Sequence, residues 1–145
     1  MRNPQHDVLF EPVRLGPKTM RNRFWQTPHS IAAGSDFPGF QAAYRGMKAE
    51  GGWGAVFVEA TAVSVDADVD PLTIVRLWDE GDVRNLQITT DAVHAHGSLA
   101  GVELFYGGAP INSGEARHPY LGPTQTVTES NYLSSVAEMG PEDIG

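Results

Sequence analysis

Gly54-Ala55-Val56-Phe57-Val58-Glu59-Ala60 is a short, nearly continuous apolar run, the pattern of a strand buried on both faces of a parallel sheet. Its flanks read as helices. Upstream, Phe40 to Glu50 holds helix formers with Phe40, Ala43, Tyr44 and Met47 on one face, and Gly51-Gly52 follows as a stop signal. Downstream, a helix is expected from about Asp82 to His96, led by Asp79, Glu80 and Asp82, which suit the positive end of its dipole, and stopped by Gly97. Val83, Leu86 and Val93 share its predicted inner face, with Thr90 between them. A further strand follows over 99–105, and an earlier one over 23–28, where the β-prone Arg23-Phe24-Trp25-Gln26-Thr27 is halted by Pro28. The order strand, helix, strand, helix, strand, in units of about 40 residues, predicts right-handed parallel crossovers in an α/β fold.

Before the first of these strands, Leu9 to Phe24 places Gly16-Pro17 between two short alternating stretches, the pattern of a hairpin. After the last, a long loop leads to Met139-Gly140-Pro141-Glu142-Asp143-Ile144, where proline in a first turn with acids behind it opens a helix. One helical turn cannot cover the exposed face of the third strand, and a three-stranded parallel sheet has two unpaired edges. Residues 1–145 are therefore expected to be the amino-terminal portion of a larger domain, interrupted at the start of its third helix. No repeat or low-complexity tract suggests another architecture.

Hydrophobic residues at 41% and charged residues at 19% suit a folded chain rather than a disordered one. The net charge of −8 argues against nucleic acid, whose phosphates require clustered Lys and Arg. No apolar run approaches the ~18 residues of a membrane span, and Met1-Arg2-Asn3-Pro4-Gln5-His6-Asp7 lacks the apolar region of a secretory signal. A cytoplasmic protein without membrane partners is expected. The absence of cysteine excludes disulfides and thiolate metal sites within these residues.

Gly16-Pro17-Lys18-Thr19-Met20-Arg21-Asn22-Arg23-Phe24, Lys48-Ala49-Glu50-Gly51-Gly52-Trp53, Leu77-Trp78-Asp79-Glu80-Gly81-Asp82-Val83-Arg84-Asn85-Leu86 and Gly101-Val102-Glu103-Leu104-Phe105-Tyr106-Gly107-Gly108 carry a family resemblance. Across essentially the whole chain the sequence resembles the Old Yellow Enzyme superfamily of NADH:flavin oxidoreductases, and within it the trimethylamine dehydrogenase group. The resemblance implies a (β/α)8 TIM barrel with FMN over the carboxyl ends of its strands. Pro28, His29 and Ser30 then close strand one, Glu59 and Ala60 close strand two, and Glu103 ends strand three, lining one side of the flavin. It further implies hydride transfer between a small-molecule substrate's carbon and flavin N5, in a parent that is a candidate homo-oligomer. The group resembles fusions with a 4Fe-4S cluster and a nucleotide-binding region. The catalytic acid and base and the phosphate-binding elements are expected beyond residue 145.

Ser30 stands where the trimethylamine dehydrogenase group has a cysteine bonded to the flavin. A hydroxyl lacks thiolate nucleophilicity, so non-covalent FMN is expected, with Ser30 donating to flavin O4 as Thr or Cys does in the ene-reductases. Ala60 stands where the group has an aromatic that cages a cationic amine, and it offers no π face. Glu103 replaces a more usual glutamine; a carboxylate there accepts from flavin N3–H and opposes negative charge on the ring. As bare features, Ser30 also reads as a turn serine, Ala60 as a packing alanine and Glu103 as a structural carboxylate.

His29 after proline reads equally as a loop residue, and His94 and His96 suit a helix carboxyl end. Asp66, Asp68 and Asp70 mimic the start of a calcium loop, but Pro71 and Leu77 occupy the positions needing glycine and glutamate, so no metal is expected. Two other functions stay open: a nicotinamide-fed ene-reductase, and an inactive fragment or interaction remnant. In isolation the chain is expected neither to hold FMN tightly nor to turn over substrate, with Val56, Val58, Val102 and Leu104 exposed and promoting association.

Overall fold

A computed structural model describes residues 3–67, 73–108, 119–127 and 135–144. After a 3-10 turn over Pro4–Phe10, strands β1 (Val13–Leu15) and β2 (Lys18–Met20) pair antiparallel as a hairpin. Gly16 turns it at φ +55°, the left-handed value that glycine adopts without a Cβ clash. Strand β3 (Trp25–Gln26) is shorter than the sequence predicts. Next come α1 (Pro38–Glu50), β4 (Ala55–Ala62), β5 (Val75–Arg76), α2 (Glu80–His94) and β6 (Leu99–Phe105).

Strand β4 is central. It pairs parallel with β3 through Ala55 and Val56, and parallel with β6 along its whole length. The edge that the short β3 leaves open is taken by β5, which pairs parallel with Thr61 and Ala62. The strand–helix–strand–helix–strand order and its parallel pairing agree with the sequence reading. The Asp79 carboxylate caps α2 by accepting from the Gly81 and Asp82 amides, and Gly97 follows that helix at φ +70°.

Ala49 of α1, Val56 of β4 and Val93 of α2 form the core between the helices and one face of the sheet, with Trp53 and Ala100 packed on it. Which helix faces enter this core departs from the periodicity. Helix α1 buries Gln41, Ala42, Arg45, Gly46 and Ala49, whereas Phe40 and Met47 are each 54% exposed. The polar pair enters because Glu59 waits for it on the sheet. Helix α2 buries Asp82, Thr89 and Val93, and Val83 is 46% exposed. Val56 and Val58, expected to be exposed, are buried under the helices. The β6 side keeps an open face, where Val102 is half-buried and Leu104 is 65% exposed.

At the amino ends of the strands, Arg21 ties the layers together. Its guanidinium donates to the carbonyls of Ala49 and Trp53, to that of His96, and to the Ser98 hydroxyl. A cation at the last carbonyls of α1 and just past α2 satisfies acceptors that the helices leave open and opposes their negative dipole ends. The conspicuous Met20-Arg21-Asn22-Arg23 stretch thus includes a structural clamp. The predicted long loop contains a second small sheet, with β7 (Tyr120–Gly122) parallel and β8 (Thr126–Val127) antiparallel to β9 (Ser135–Glu138). Helix α3 (Pro141–Ile144) opens at the expected proline. Asp68, Asp70 and Pro71 of the rejected calcium pattern lie outside the described residues.

Candidate functional site

Side chains on a strand alternate between faces, and partners in register share a face. Ala100 and Val56 pack toward the helices, so Trp25, Phe57 and Gly101 lie on the opposite, inner face. There the Trp25 and Phe57 rings stack at 4.6 Å. A bulge between Val58 and Ala60 then shifts the register. The extra residue is Glu59, which turns to the helix side after Val58, and Ala60 consequently falls on the inner face opposite Glu103. Bulges commonly re-aim side chains beside active sites. The bulge therefore separates two neighbours: Ala60 joins Glu103 at the rim, while Glu59 leaves it.

Glu59 is buried and its carboxylate is fully engaged. Oε2 accepts from Arg45 Nη2 at 2.7 Å and from the Ile31 amide at 3.1 Å, and Oε1 accepts from Gln41 Nε2 at 2.8 Å. Arg45 Nη2 also donates to the His29 carbonyl at 2.7 Å, and Nη1 reaches Gln26 Oε1 at 3.4 Å. Burial pulls the Arg45 pKa below its usual value, opposed by the charge and hydrogen bond of Glu59; the guanidinium stays a cation.

The His29 ring packs on α1 rather than over the inner face. Its Nδ1 receives N–H groups from Gln26 at 2.8 Å and Arg45 at 3.4 Å. Nδ1 also lies 3.3 Å from the Thr27 carbonyl, and Nε2 lies 3.4 Å from the Tyr44 hydroxyl. The exposed Ser30 hydroxyl accepts from the Ala32 amide at 3.2 Å, leaving its own proton free to donate. Ala32 sits at φ +56°, a left-handed conformation uncommon for a residue with a Cβ.

The predicted rim residues thus divide. Ser30, at the carboxyl end of β3, and the inward pair Ala60 and Glu103 on adjacent strands present a hydroxyl donor, a small side chain and an exposed carboxylate. Pro28 leads into that turn, whereas His29 and Glu59 carry their side chains to the helix side. The side chains that engage Glu59, namely Gln41 and Arg45, and Gln26, which Arg45 reaches in turn, gave no signal in the sequence. They read as the polar face of a surface helix and as a strand residue, and nothing in their spacing marks Glu59 as their partner.

Parallel β3–β4–β6 order, crossover helices on one face and a polar rim at the carboxyl ends define a section of a (β/α)8 barrel. The chain belongs to the NADH:flavin oxidoreductase / NADH oxidase family, whose profile matches residues 8–144. It is 50% identical over 128 residues to dimethylamine dehydrogenase of Hyphomicrobium sp. (strain x), covering 88% of this chain and 17% of that protein. It is 31% identical over 104 residues to an NADPH dehydrogenase of Listeria welshimeri, covering 69% of this chain and 30% of that one. Among solved structures, histamine dehydrogenase from Rhizobium sp. 4-9 superposes with a TM-score of 0.92 at 36% identity, over 99% of this chain and 22% of that one. The chain therefore spans between about a sixth and a third of the length of these relatives.

Proposed function

We propose that this chain forms one wall of a non-covalent FMN site in a longer (β/α)8-barrel oxidoreductase acting on a small amine, with hydride passing from substrate carbon to flavin N5. The observation that carries the reading is Ala60 and Glu103 in register near the carboxyl ends of neighbouring strands, with the exposed Ser30 in the turn after β3, in a chain 50% identical over 128 residues to an amine dehydrogenase. The donor set fits a flavin edge. Ser30 has a proton to donate to a ring carbonyl, Glu103 has lone pairs for a ring N–H, and Ala60 leaves room between them. When bound, FMN supplies the two-electron acceptor.

The chain's own groups would orient that acceptor and tune it. Ser30 donation stabilises charge on the carbonyl it meets, and the Glu103 carboxylate opposes negative charge on the ring, so the two act in opposite directions. Groups that move substrate protons are assigned to segments beyond residue 145. A 4Fe-4S cluster in the same polypeptide would need ligands from those segments too, since this chain has no cysteine.

An ene-reductase is the second reading, favoured by Ala60, which offers a cationic amine no aromatic face. Anaerobic mixing of the purified full-length protein with dimethylamine or with NADPH separates the two. Bleaching of the flavin band by the amine is the expected outcome, bleaching by NADPH alone selects the ene-reductase, and bleaching by neither overturns both. Acid precipitation should leave the flavin in the supernatant; flavin retained by the pellet would show a covalent bond formed by a residue other than a cysteine of this chain.

A further inference from the structure

Ser30 is gripped from both sides through its neighbours' backbones. The carbonyl of His29 before it accepts from Arg45 at 2.7 Å, and the amide of Ile31 after it donates to Glu59 at 3.1 Å. Arg45 and Glu59 are themselves joined at 2.7 Å, and both side chains are buried. One ion pair therefore closes a loop of hydrogen bonds around Ser30, an exposed residue whose hydroxyl accepts from the Ala32 amide. The turn is also strained: Ala32 is held at φ +56° with its amide on Ser30 Oγ, and such a conformation persists when its surroundings over-determine it.

We propose that Glu59 and Arg45 are positioning residues for Ser30, setting where its hydroxyl meets the flavin edge. The inference rests on the FMN reading above. Its physical logic is one of geometry more than stability, because a buried ion pair often adds little net stability compared with well-packed apolar side chains. What the pair supplies is direction. The planar guanidinium fork can hold a carboxylate and a carbonyl at once, and a carboxylate can accept from the fork and a backbone N–H together. Gln41, donating to the second Glu59 oxygen at 2.8 Å, fixes the carboxylate's rotation. The bulge between Val58 and Ala60 is what puts the carboxylate there.

The test uses the full-length FMN-loaded protein and two readouts, the FMN dissociation constant and the visible absorption bands of the bound flavin. Arg45→Lys keeps the charge and loses the fork. It is expected to weaken FMN binding by about three- to tenfold, the worth of one net hydrogen bond, and to shift the bands in the same direction as Ser30→Ala. In the double variant the second substitution should add little, as for residues acting through one contact. A folded Arg45→Lys protein with wild-type bands and affinity, or fully additive effects of the two substitutions, overturns the proposal. Should Arg45→Lys fail to fold, Gln41→Met leaves the ion pair in place and carries the same readouts: a smaller shift in the Ser30→Ala direction supports the proposal, and unchanged bands overturn it. A wild-type protein that binds no FMN sinks the underlying reading and this one with it, so the two failures are told apart by the wild type alone.

Discussion

At the scale of single residues, Glu59 has the largest predicted consequence. Glu59→Gln would leave the buried Arg45 cation without its counter-charge, and breaking a buried pair from one side typically costs about 3–5 kcal/mol, so a large drop in the urea midpoint is expected. Gly101 makes a different demand: a Cβ there would lie 2.3 Å from Phe57 Cε1. Gly101→Ala should lower stability by about 1–3 kcal/mol, the usual cost of overpacking. Asp79 is a pH test. The amides of Asp82 and Gly81 hold its pKa below the ordinary carboxylate value, so its charge stabilises the fold above the unfolded value of about 3.9 and that contribution disappears as pH falls through the lower folded value. Asp79→Asn keeps an acceptor and removes only the charge. Its urea midpoint should fall below wild type at pH 7 and converge with it in strong acid; an equal deficit at both would assign the effect to packing.

At the scale of elements, the helix limits were legible because local chemistry writes them: Gly51-Gly52, Gly97 and Pro141 act within one turn. The buried face of α1 was not legible. Periodicity assigns apolar residues inward, but here Gln41 and Arg45 go inward to meet a carboxylate delivered by a bulge in the next strand, and a bulge leaves no pattern in a short apolar run. The same bulge explains why Ala60 and Glu103 face each other while Glu59, its chain neighbour, turns away. Family resemblance could nominate all three, but only the register could separate them. Met47→Lys tests the reversed face: on an exposed helix flank it should change stability by less than about 0.5 kcal/mol, whereas a core methionine replaced by lysine would cost several times that in a denaturant titration.

At the scale of the whole molecule, the described strands β3, β4 and β6 form an open parallel array, with Leu104 exposed on the side where a barrel places its next layer. Parallel sheets of this kind are stable when both faces and both edges are covered, and a closed barrel typically takes about 250 residues. We propose that this chain holds one wall of a flavin site and that further strands of the longer protein complete it. FMN titrated by fluorescence into the 145-residue chain and, in parallel, into the flavin-stripped full-length protein tests that claim directly. Saturable binding to the full-length protein and none at micromolar FMN to the chain alone is the predicted result; saturable micromolar binding to a soluble monomer of the chain alone, or no binding to either, would contradict it.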